Sequence, residues 1–437
     1  NLQMSSSAKF YTNVSMGYDD ILLRGYEDGR RISHRIPYKP YHFIHSKMDD
    51  GEYANIKGKK LDRIDFGSMK DAKDFIKRYS DVQGMMIYGH TNYVYTFIND
   101  YYKGTIDYDP KVISVVNIDI EVAADQGFPN INTADKEITA ITMKKGDTYV
   151  VLGCGDYVNN HHKYNIKYHR CKDETELLLR FLDIWRSDSM SPDIVTGWNV
   201  EFFDIPYIVN RIARILGQQM SKKLSPWNVL DKREVTIGTR ETQTTYVPRG
   251  ISILDYMQLY RKFSFQMQES YSLNHIANVE LGEKKLDYSD YDNLFDLYKR
   301  NYQLFMEYNI RDVELVARLD DKLKLINQVL ALAYDGKVNY QDTFTTVRMW
   351  DIIIHNYLLQ KKICVSPLSV GHKEEKIVGG FVKDPKVGMH KWVVSFDLNS
   401  LYPHIIMQYN ISPETFVDRI PYICLLYTSP SPRDVEE

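Results

Sequence analysis

Two acidic side chains, two positions apart, are the first residues in this chain whose types and spacing could do chemistry. In the stretch from Val112 to Ala123, a period of two residues places Asp119 and Glu121 on one face and apolar Val and Ile side chains on the other. Two unit charges about 4 Å apart repel by about 4 kcal/mol at an effective dielectric of about 20. A divalent cation turns that repulsion into binding. The same pattern is also typical of the solvated face of an edge strand, so further residues must decide.

Two other segments place candidate partners where they could meet this acidic strand. Asp204 lies at a strand-to-helix junction, between a break at Gly197 and a helix predicted to begin near Pro206. Such junctions are the usual place for site residues in α/β folds. Tyr308 and Asp312 are four residues apart in a long helical segment, so they share one face of the helix.

A separate acidic residue lies near the end of the sequence. The pattern predicts a β-strand over 391–397 that ends at Asp397, followed by a turn through Asn399 and Ser400 and a short helix over 401–407. An acid at the carboxyl end of a strand, next to the free backbone amides of a turn, suits a metal ion and a triphosphate together.

The elements that must position these side chains follow an α/β pattern from residue 112 onward. Before it, short strand-like pieces and one helix near Asp71–Tyr79 are separated by glycine turns. The predicted elements of the α/β part are strands at 138–143 and 149–152, a helix at 174–185 capped by Asp173, a helix that ends near Gly217, a hairpin within 233–254 that turns at Gly238, and a helix at 345–360.

Composition limits the class of protein. A chain of 437 residues predicts two to four domains. The sequence contains no run of about 18 apolar residues, which excludes an apolar membrane-spanning helix. The four cysteines form no Cys-x-x-Cys pair, which argues against a zinc knuckle and fits a reducing cytoplasm. The net charge of −3 gives no general signal for nucleic acid, and the 34 tyrosines suit base stacking or plain core packing equally.

Taken together, the acidic motifs carry a family resemblance over nearly all of residues 8–418. Asp119-x-Glu121, Asn199-x-x-x-Phe203-Asp204 and Tyr308-x-x-x-Asp312 resemble, in order and spacing, the three motifs of the DEDDy 3′–5′ exonucleases. DLNSLYP at 397–403 resembles motif A of the family B DNA polymerases. The runs Gly197-Trp198-Asn199, SILDYMQLYRKFSF and ISPETF narrow the resemblance to the replicative polymerases of T-even-type tailed bacteriophages.

For the exonuclease, the resemblance implies two Mg²⁺ or Mn²⁺ ions. A site of carboxylates without His or Cys suits these ions. Two such ions, roughly 3.5–4 Å apart, activate water and stabilise the leaving oxygen in phosphodiester hydrolysis. The implied metal ligands are Asp119, Glu121, Asp204 and Asp312, with Tyr308 orienting the attacking water. Phe203 near the terminal bases and Lys285 near the site are implied DNA contacts, although packing or surface roles stay open for both.

For the polymerase, the resemblance implies that Asp397 and the carbonyl of Leu398 hold the catalytic ions. The amides of Ser400 and Leu401 would contact the incoming triphosphate, and Tyr402 would pack under the deoxyribose. The family's second carboxylate pair and its fingers helix are absent from the sequence. His404 stands where the family usually has Ser.

The expected fold is α/β and multi-domain. The resemblance implies a mixed α+β N-terminal domain, 1–111, completed by about 325–366, and an RNase H-like exonuclease domain, 112–324, with a mixed sheet and flanking helices. Residues 367–420 would begin a truncated polymerase palm. LLYTSPSPRD is similar to the in-frame translation of a sequencing-library adapter, so 424–437 is interpreted as a non-native tail.

The implied function is a DNA-directed DNA polymerase of phage replication with a 3′–5′ proofreading exonuclease, of which this chain holds the whole exonuclease site and only motif A. Expected partners are primer-template DNA, single-stranded 3′ ends, dNTPs, a sliding clamp and replisome proteins, in the cytoplasm of the infected bacterial host and without a membrane. Ile377 replaces the tyrosine of a Y-x-G-G motif, which bears on the balance between synthesis and editing. The alternatives are a stand-alone DEDDy exonuclease and a non-catalytic DNA-binding relic of a polymerase.

Overall fold

A computed structural model of the chain describes residues 8–80, 82, 84–123, 127–161, 164–237, 241–264, 266–366 and 379–415. The fold is mixed α/β, with several sheets and helices on both faces of the largest one. Ile377, the hairpin residue Gly238 and the interpreted tail at 424–437 lie outside the described residues.

The N-terminal part forms two small sheets and two helices. The helix predicted near Asp71–Tyr79 is confirmed, and Ser68 caps it by accepting a hydrogen bond from the Asp71 amide at 3.1 Å. The elements are β1 Lys9–Met16, β2 Asp20–Glu27, β3 Arg30–Pro37, β4 Tyr41–His45, β5 Tyr53–Asn55, β6 Lys60–Asp65, α1 Met69–Tyr79 and α2 Tyr93–Tyr101.

The central part alternates strands and helices as predicted, including the hairpin, whose two strands are β12 and β13. Its elements are β7 Val115–Val122, β8 Ile138–Lys145, β9 Thr148–Gly153, β10 Asn165–Arg170, α3 Glu174–Arg186, β11 Ile194–Gly197, α4 Asp204–Leu216, α5 Gln218–Ser221, β12 Leu230–Ile237, β13 Glu241–Pro248, β14 Ser252–Asp255, α6 Tyr256–Phe263 and α7 Leu273–Leu281.

The remaining part is mostly helical, and the helix predicted at 345–360 is confirmed. Its elements are α8 Leu294–Arg300, α9 Tyr302–Leu323, α10 Leu325–Gly336, α11 Thr346–Gln360, β15 Ile363–Cys364 and α12 Leu401–Gln408, with single 3₁₀ turns along the chain at Lys222–Leu224, Tyr340–Phe344 and Pro413–Thr415.

The strand with the acidic face, β7, lies inside the largest sheet and not at its edge. The strand order is β10-β9-β8-β7-β11-β14, in which β7 pairs antiparallel with β8 and parallel with β11. Because β7 has a partner on each side, the interpretation as a solvated edge strand is wrong. One face of β7 buries Val116, Ile118 and Ile120 in a core with α3 and α4. The acidic face lies against α9, whose Val313 carbonyl accepts a hydrogen bond from Asn117 at 2.8 Å.

A buried carboxylate, Asp193, ties the N-terminal strands to this sheet. Its Oδ2 accepts hydrogen bonds from the Tyr26 hydroxyl at 2.7 Å, the Arg31 guanidinium at 3.0 Å and the Ser114 amide at 2.8 Å. Its Oδ1 lies 3.5 Å from Nε of Arg24, which is itself buried. The charge of Asp193 is therefore balanced within the protein and not by water.

We expect Asp193→Asn to lower the free energy of unfolding by about 3–5 kcal/mol, because it leaves the buried Arg24 and the half-buried Arg31 without their counter-charge. Urea denaturation followed by circular dichroism measures this change. Asp65→Asn is the matched control, since it breaks the exposed Arg63–Asp65 pair at 2.7 Å, and exposed pairs contribute about 0–1 kcal/mol. Equal losses in the two variants would contradict the interpretation.

Helical residues beyond 324 return to the N-terminal part. Strand β15 pairs parallel with β5, with Ile363 opposite Ala54. In α10, Tyr334 donates a hydrogen bond from its hydroxyl to the Tyr11 carbonyl of β1 at 2.7 Å. Residues of α10 and α11 therefore share one core with the strands β1 and β2.

The strand predicted over 391–397 is wrong. Residues 391–397 are exposed, with a bend at Lys391 and Trp392 and no regular secondary structure after it, and no described strand pairs with them. A β-strand is stable only when neighbouring backbone pairs with it, so a local pattern of apolar residues does not form one alone. The short helix predicted after it is confirmed as α12.

Candidate active site

Three carboxylates from two elements meet on the acidic face of β7. Asp119 and Glu121 project from this strand, and Asp312 projects from α9, which crosses it. One carboxylate oxygen from each residue lies within 4.8 Å of the others. Asp312 is 5% exposed and Glu121 is 9% exposed, so water solvates this group of acids poorly.

Asp204 joins this group from a third element. It is the first residue of α4 and is buried, and its Oδ1 accepts a hydrogen bond from the Ile120 amide at 3.0 Å. The bond ties the start of α4 to the backbone between Asp119 and Glu121. The strand-to-helix junction predicted for Asp204 therefore brings it to the same strand.

The loop before Asp204 is held by a carboxylate that sequence reasoning missed. Asp255, at the end of β14, accepts hydrogen bonds from the amides of Asn199 at 3.2 Å and Glu201 at 3.0 Å. Asn199 has a φ of 64°, in the left-handed region that Asn tolerates better than most residues. The signal was available, because Asp255 stands at a strand-to-helix junction like that of Asp204.

Burial and mutual repulsion disturb the titration of the four acids. Burial, and then the charges of Asp204 and Asp312, raise the pKa of Asp119 well above its usual value. Burial and the charge of Asp312 raise the pKa of Glu121 to about 8, and burial raises the pKa of Asp204 to about 7. Burial also raises the pKa of Asp312, although Lys285 opposes this shift.

Lys285 and Tyr308 border the acids on one side. The Lys285 ammonium donates hydrogen bonds to Asp312 Oδ2 at 2.5 Å and to the Tyr308 hydroxyl at 3.1 Å. Burial opposes the charge on Lys285, but Asp312 and Tyr308 together raise its pKa above the usual lysine value. Burial and the charge of Asp312 raise the pKa of Tyr308, so its hydroxyl stays protonated at neutral pH.

The donor set fits hard divalent cations. All four acids offer oxygen ligands, and the buried Oδ1 of Asp312 has no hydrogen-bond partner within the described part of the chain. Three buried carboxylates and the half-buried Asp119, beside the ammonium group of Lys285, leave excess negative charge, which is costly in the interior unless it is neutralised. A bound divalent cation would neutralise this charge. Without a cation, the carboxylates must be neutralised by protonation.

Asn309 is a second residue that sequence reasoning missed. It follows Tyr308 in α9, is fully buried, and donates a hydrogen bond from Nδ2 to Asp119 Oδ2 at 2.6 Å. Its position three residues before Asp312 puts both on one helix face, which is the signal that could have found it.

Phe203 is half-buried and stacks on Tyr207, with ring centroids 5.9 Å apart.

The structure does not bring the predicted polymerase residues to this acidic group. All of them are exposed, and they lie on the coil before α12 or in its first turn: Asp397, Leu398, Ser400, Leu401 and Tyr402. Ser400 has a φ of 54° and directly precedes the helix.

In the described residues, no helix is long and apolar enough to cross a membrane.

Comparison with known proteins places these elements in a family. The profile described as "DNA polymerase family B, exonuclease domain" matches residues 92–276, and that described as "DNA polymerase family B" matches residues 342–421. The first match contains Asp119, Glu121 and Asp204, and the second contains Asp397.

The chain is also similar to polymerases of two phages and of a eukaryote. The chain is 37% identical to a DNA-directed DNA polymerase of Escherichia phage RB69, over 93% of this chain and 47% of the relative. It is 34% identical to that of Enterobacteria phage T4 over the same shares. It is 26% identical to the DNA polymerase delta catalytic subunit of Schizosaccharomyces pombe, over 70% of this chain and 29% of the relative. The chain spans about half the length of the phage relatives, and it belongs to the family B DNA polymerases.

Proposed function

We propose that this chain removes nucleotides from the 3′ ends of DNA by hydrolysis, as the proofreading part of a phage replicative DNA polymerase. The observation that carries the proposal is the convergence of Asp119, Glu121, Asp204 and Asp312 around one buried strand, beside Tyr308. These are the residues that the DEDDy motifs name. The proposed products are a nucleoside 5′-monophosphate and a DNA strand shorter by one nucleotide.

The four carboxylates would hold two divalent ions, Mg²⁺ or Mn²⁺. When bound, such ions lower the pKa of water and stabilise the charge on the leaving 3′-oxygen. The chain's own residues then position the reactants. The neutral Tyr308 hydroxyl would orient the attacking water by hydrogen bonding, and the Lys285 ammonium would offset negative charge on the phosphate beside Asp312. Phe203 would contact the terminal bases with the exposed part of its ring.

The largest sheet supports an RNase H-like exonuclease domain at 112–324. Its order of β10-β9-β8-β7-β11-β14, with β8 antiparallel to both neighbours, supplies the mixed sheet, and α3, α4 and α9 supply the flanking helices. The return of β15 to β5 supports an N-terminal domain at 1–111 completed by 325–366. Residues 367–420 would begin the palm.

The whole polymerase would extend a primer on template DNA from dNTPs in the cytoplasm of the infected bacterial host, with a sliding clamp and replisome proteins as partners. Asp397, Leu398, Ser400, Leu401 and Tyr402 would serve that second reaction in the complete palm. The family B match at 342–421 favours this proposal over a stand-alone exonuclease, since the latter has no use for motif A.

Incubation of the chain with 3′-labelled single-stranded DNA and Mg²⁺ tests the proposal. We expect labelled mononucleotides from the 3′ end, no products after chelation with EDTA, and no primer extension when dNTPs are supplied to this chain. A 3′-phosphorothioate linkage on the same DNA serves as a poorly hydrolysed control substrate. Intact DNA in the presence of either Mg²⁺ or Mn²⁺ would refute the exonuclease and favour a non-catalytic DNA-binding role.

A further inference from the structure

Asn309 contacts the acidic group without being one of its acids. Its side chain is fully buried, and Nδ2 donates to Oδ2 of Asp119 at 2.6 Å. This bond occupies one carboxylate oxygen of Asp119, and no side chain or amide among the described residues donates a hydrogen bond to the other. The amide is neutral and cannot ionise, so it fixes the carboxylate without adding charge to the crowded site.

A second amide nearby offers a contrast. Asn117, two residues before Asp119 on the same face of β7, is also buried, but its Nδ2 donates to the backbone carbonyl of Val313 at 2.8 Å. Each amide thus joins β7 to α9 by one hydrogen bond, and the Oδ1 atom of each is buried without a hydrogen-bond partner in the described residues. The two residues differ in the acceptor of this hydrogen bond. The acceptor for Asn117 is a backbone carbonyl, and the acceptor for Asn309 is the carboxylate of a candidate metal ligand.

We propose that Asn309 is a positioning residue that orients the Asp119 carboxylate for divalent-cation binding, an inference that rests on the proposed function. Groups that hydrogen-bond to metal ligands fix their orientation, and their loss typically costs about 10–100-fold in metal affinity or activity. Because Asn309 lies on the helix that carries Asp312, it also couples the position of Asp119 on the strand to that of Asp312.

Binding of Mn²⁺ to the whole chain, followed by electron paramagnetic resonance without DNA, tests the inference. Asn309→Leu keeps the approximate size of the side chain and removes the donor, and we expect Mn²⁺ affinity to fall about 10-fold or more. Asn117→Leu is the matched control, which loses the strand-to-helix bond but leaves Asp119 untouched, and its Mn²⁺ affinity should stay within about 3-fold of wild type. Asn309→Ser and Asn117→Ser form a second pair with smaller side chains, for use if a leucine is not accommodated.

Hydrolysis supplies a second measurement. The Mg²⁺ concentration for half-maximal rate should rise in Asn309→Leu by the same factor as the Mn²⁺ dissociation constant, with KM for DNA unchanged. Equal losses of Mn²⁺ affinity in the Asn309 and Asn117 variants, or none in either, would overturn the positioning role while leaving the proposed exonuclease intact. If wild type binds no Mn²⁺, the proposed metal site fails, and the role of Asn309 fails with it.

Discussion

The double substitution Asp119→Asn with Glu121→Gln is expected to slow mononucleotide release from 3′-labelled DNA by at least about 10³-fold. Both changes keep the shape of the side chain and remove its negative charge, so the site loses two of four anionic ligands. A factor of 10³ corresponds to about 4 kcal/mol of transition-state stabilisation, which lies within the several kcal/mol that bound metal ions supply. Single-turnover kinetics with excess enzyme measure this loss directly.

The fold should survive this substitution. Without metal, the buried carboxylates of wild type repel one another, so neutral amides of the same shape are expected to leave the melting temperature in EDTA unchanged or higher. The control Asp183→Asn with Asp188→Asn changes the same number of charges at exposed positions and should retain wild-type rates. Hydrolysis within 10-fold of wild type in the Asp119 and Glu121 variant would exclude this group of acids as the site.

The second large effect concerns the pH dependence of stability without metal. Burial and neighbouring charge raise the pKa of Glu121 from 4.5 to about 8, and burial raises the pKa of Asp204 from 3.8 to about 7. Between the unfolded and folded pKa values the folded state binds more protons than the unfolded state, so stability falls as pH rises. We therefore expect the free energy of unfolding in EDTA to decrease from about pH 4 to pH 8, by on the order of a few kcal/mol.

Urea unfolding at four pH values, in EDTA and in Mg²⁺, measures this dependence. Mg²⁺ should remove most of the decrease, since a bound cation favours the ionised carboxylates that high pH produces. The Asp119→Asn with Glu121→Gln variant should show a shallower pH dependence in EDTA, because Glu121 no longer titrates. A slope in EDTA that is identical in wild type and in this variant would refute the assignment of the pH dependence to these acids.

Much of the geometry of the candidate site could be predicted from the sequence because its acids follow local periodicities. The period of two in β7 places Asp119 and Glu121 on one face, and the spacing of four in α9 places Tyr308 and Asp312 on another. Periodicity within one segment does not say which two segments meet. The motif resemblance supplied that pairing, and the structure brings the two faces together.

The parts that sequence reasoning missed depend on contacts between distant segments. Asn309 and Asp255 are ordinary polar residues until a partner 190 or 56 residues away in the sequence lies beside them. The prediction of a strand at 391–397 is wrong because a contact between distant segments is missing there. Its pattern is suitable, but a strand needs a neighbour, and no described segment provides one.

The packing of helix α9 bears on whether residues 112–324 could be separated from the rest of the chain. Near its middle, Ile310 and Val313 pack in the small core against β8 and β9, whereas Val316 and Leu319, further along, pack in the core that contains β1 and β2. The helix that carries Asp312 thus contributes side chains to two hydrophobic cores. Excising the proposed exonuclease domain, residues 112–324, would remove β1 and β2 from the core in which Val316 and Leu319 lie. Each fully buried aliphatic side chain contributes roughly 1.5–3 kcal/mol. Using the proposed domain on its own would therefore require polar replacements on the apolar face of α9, in addition to cutting the chain.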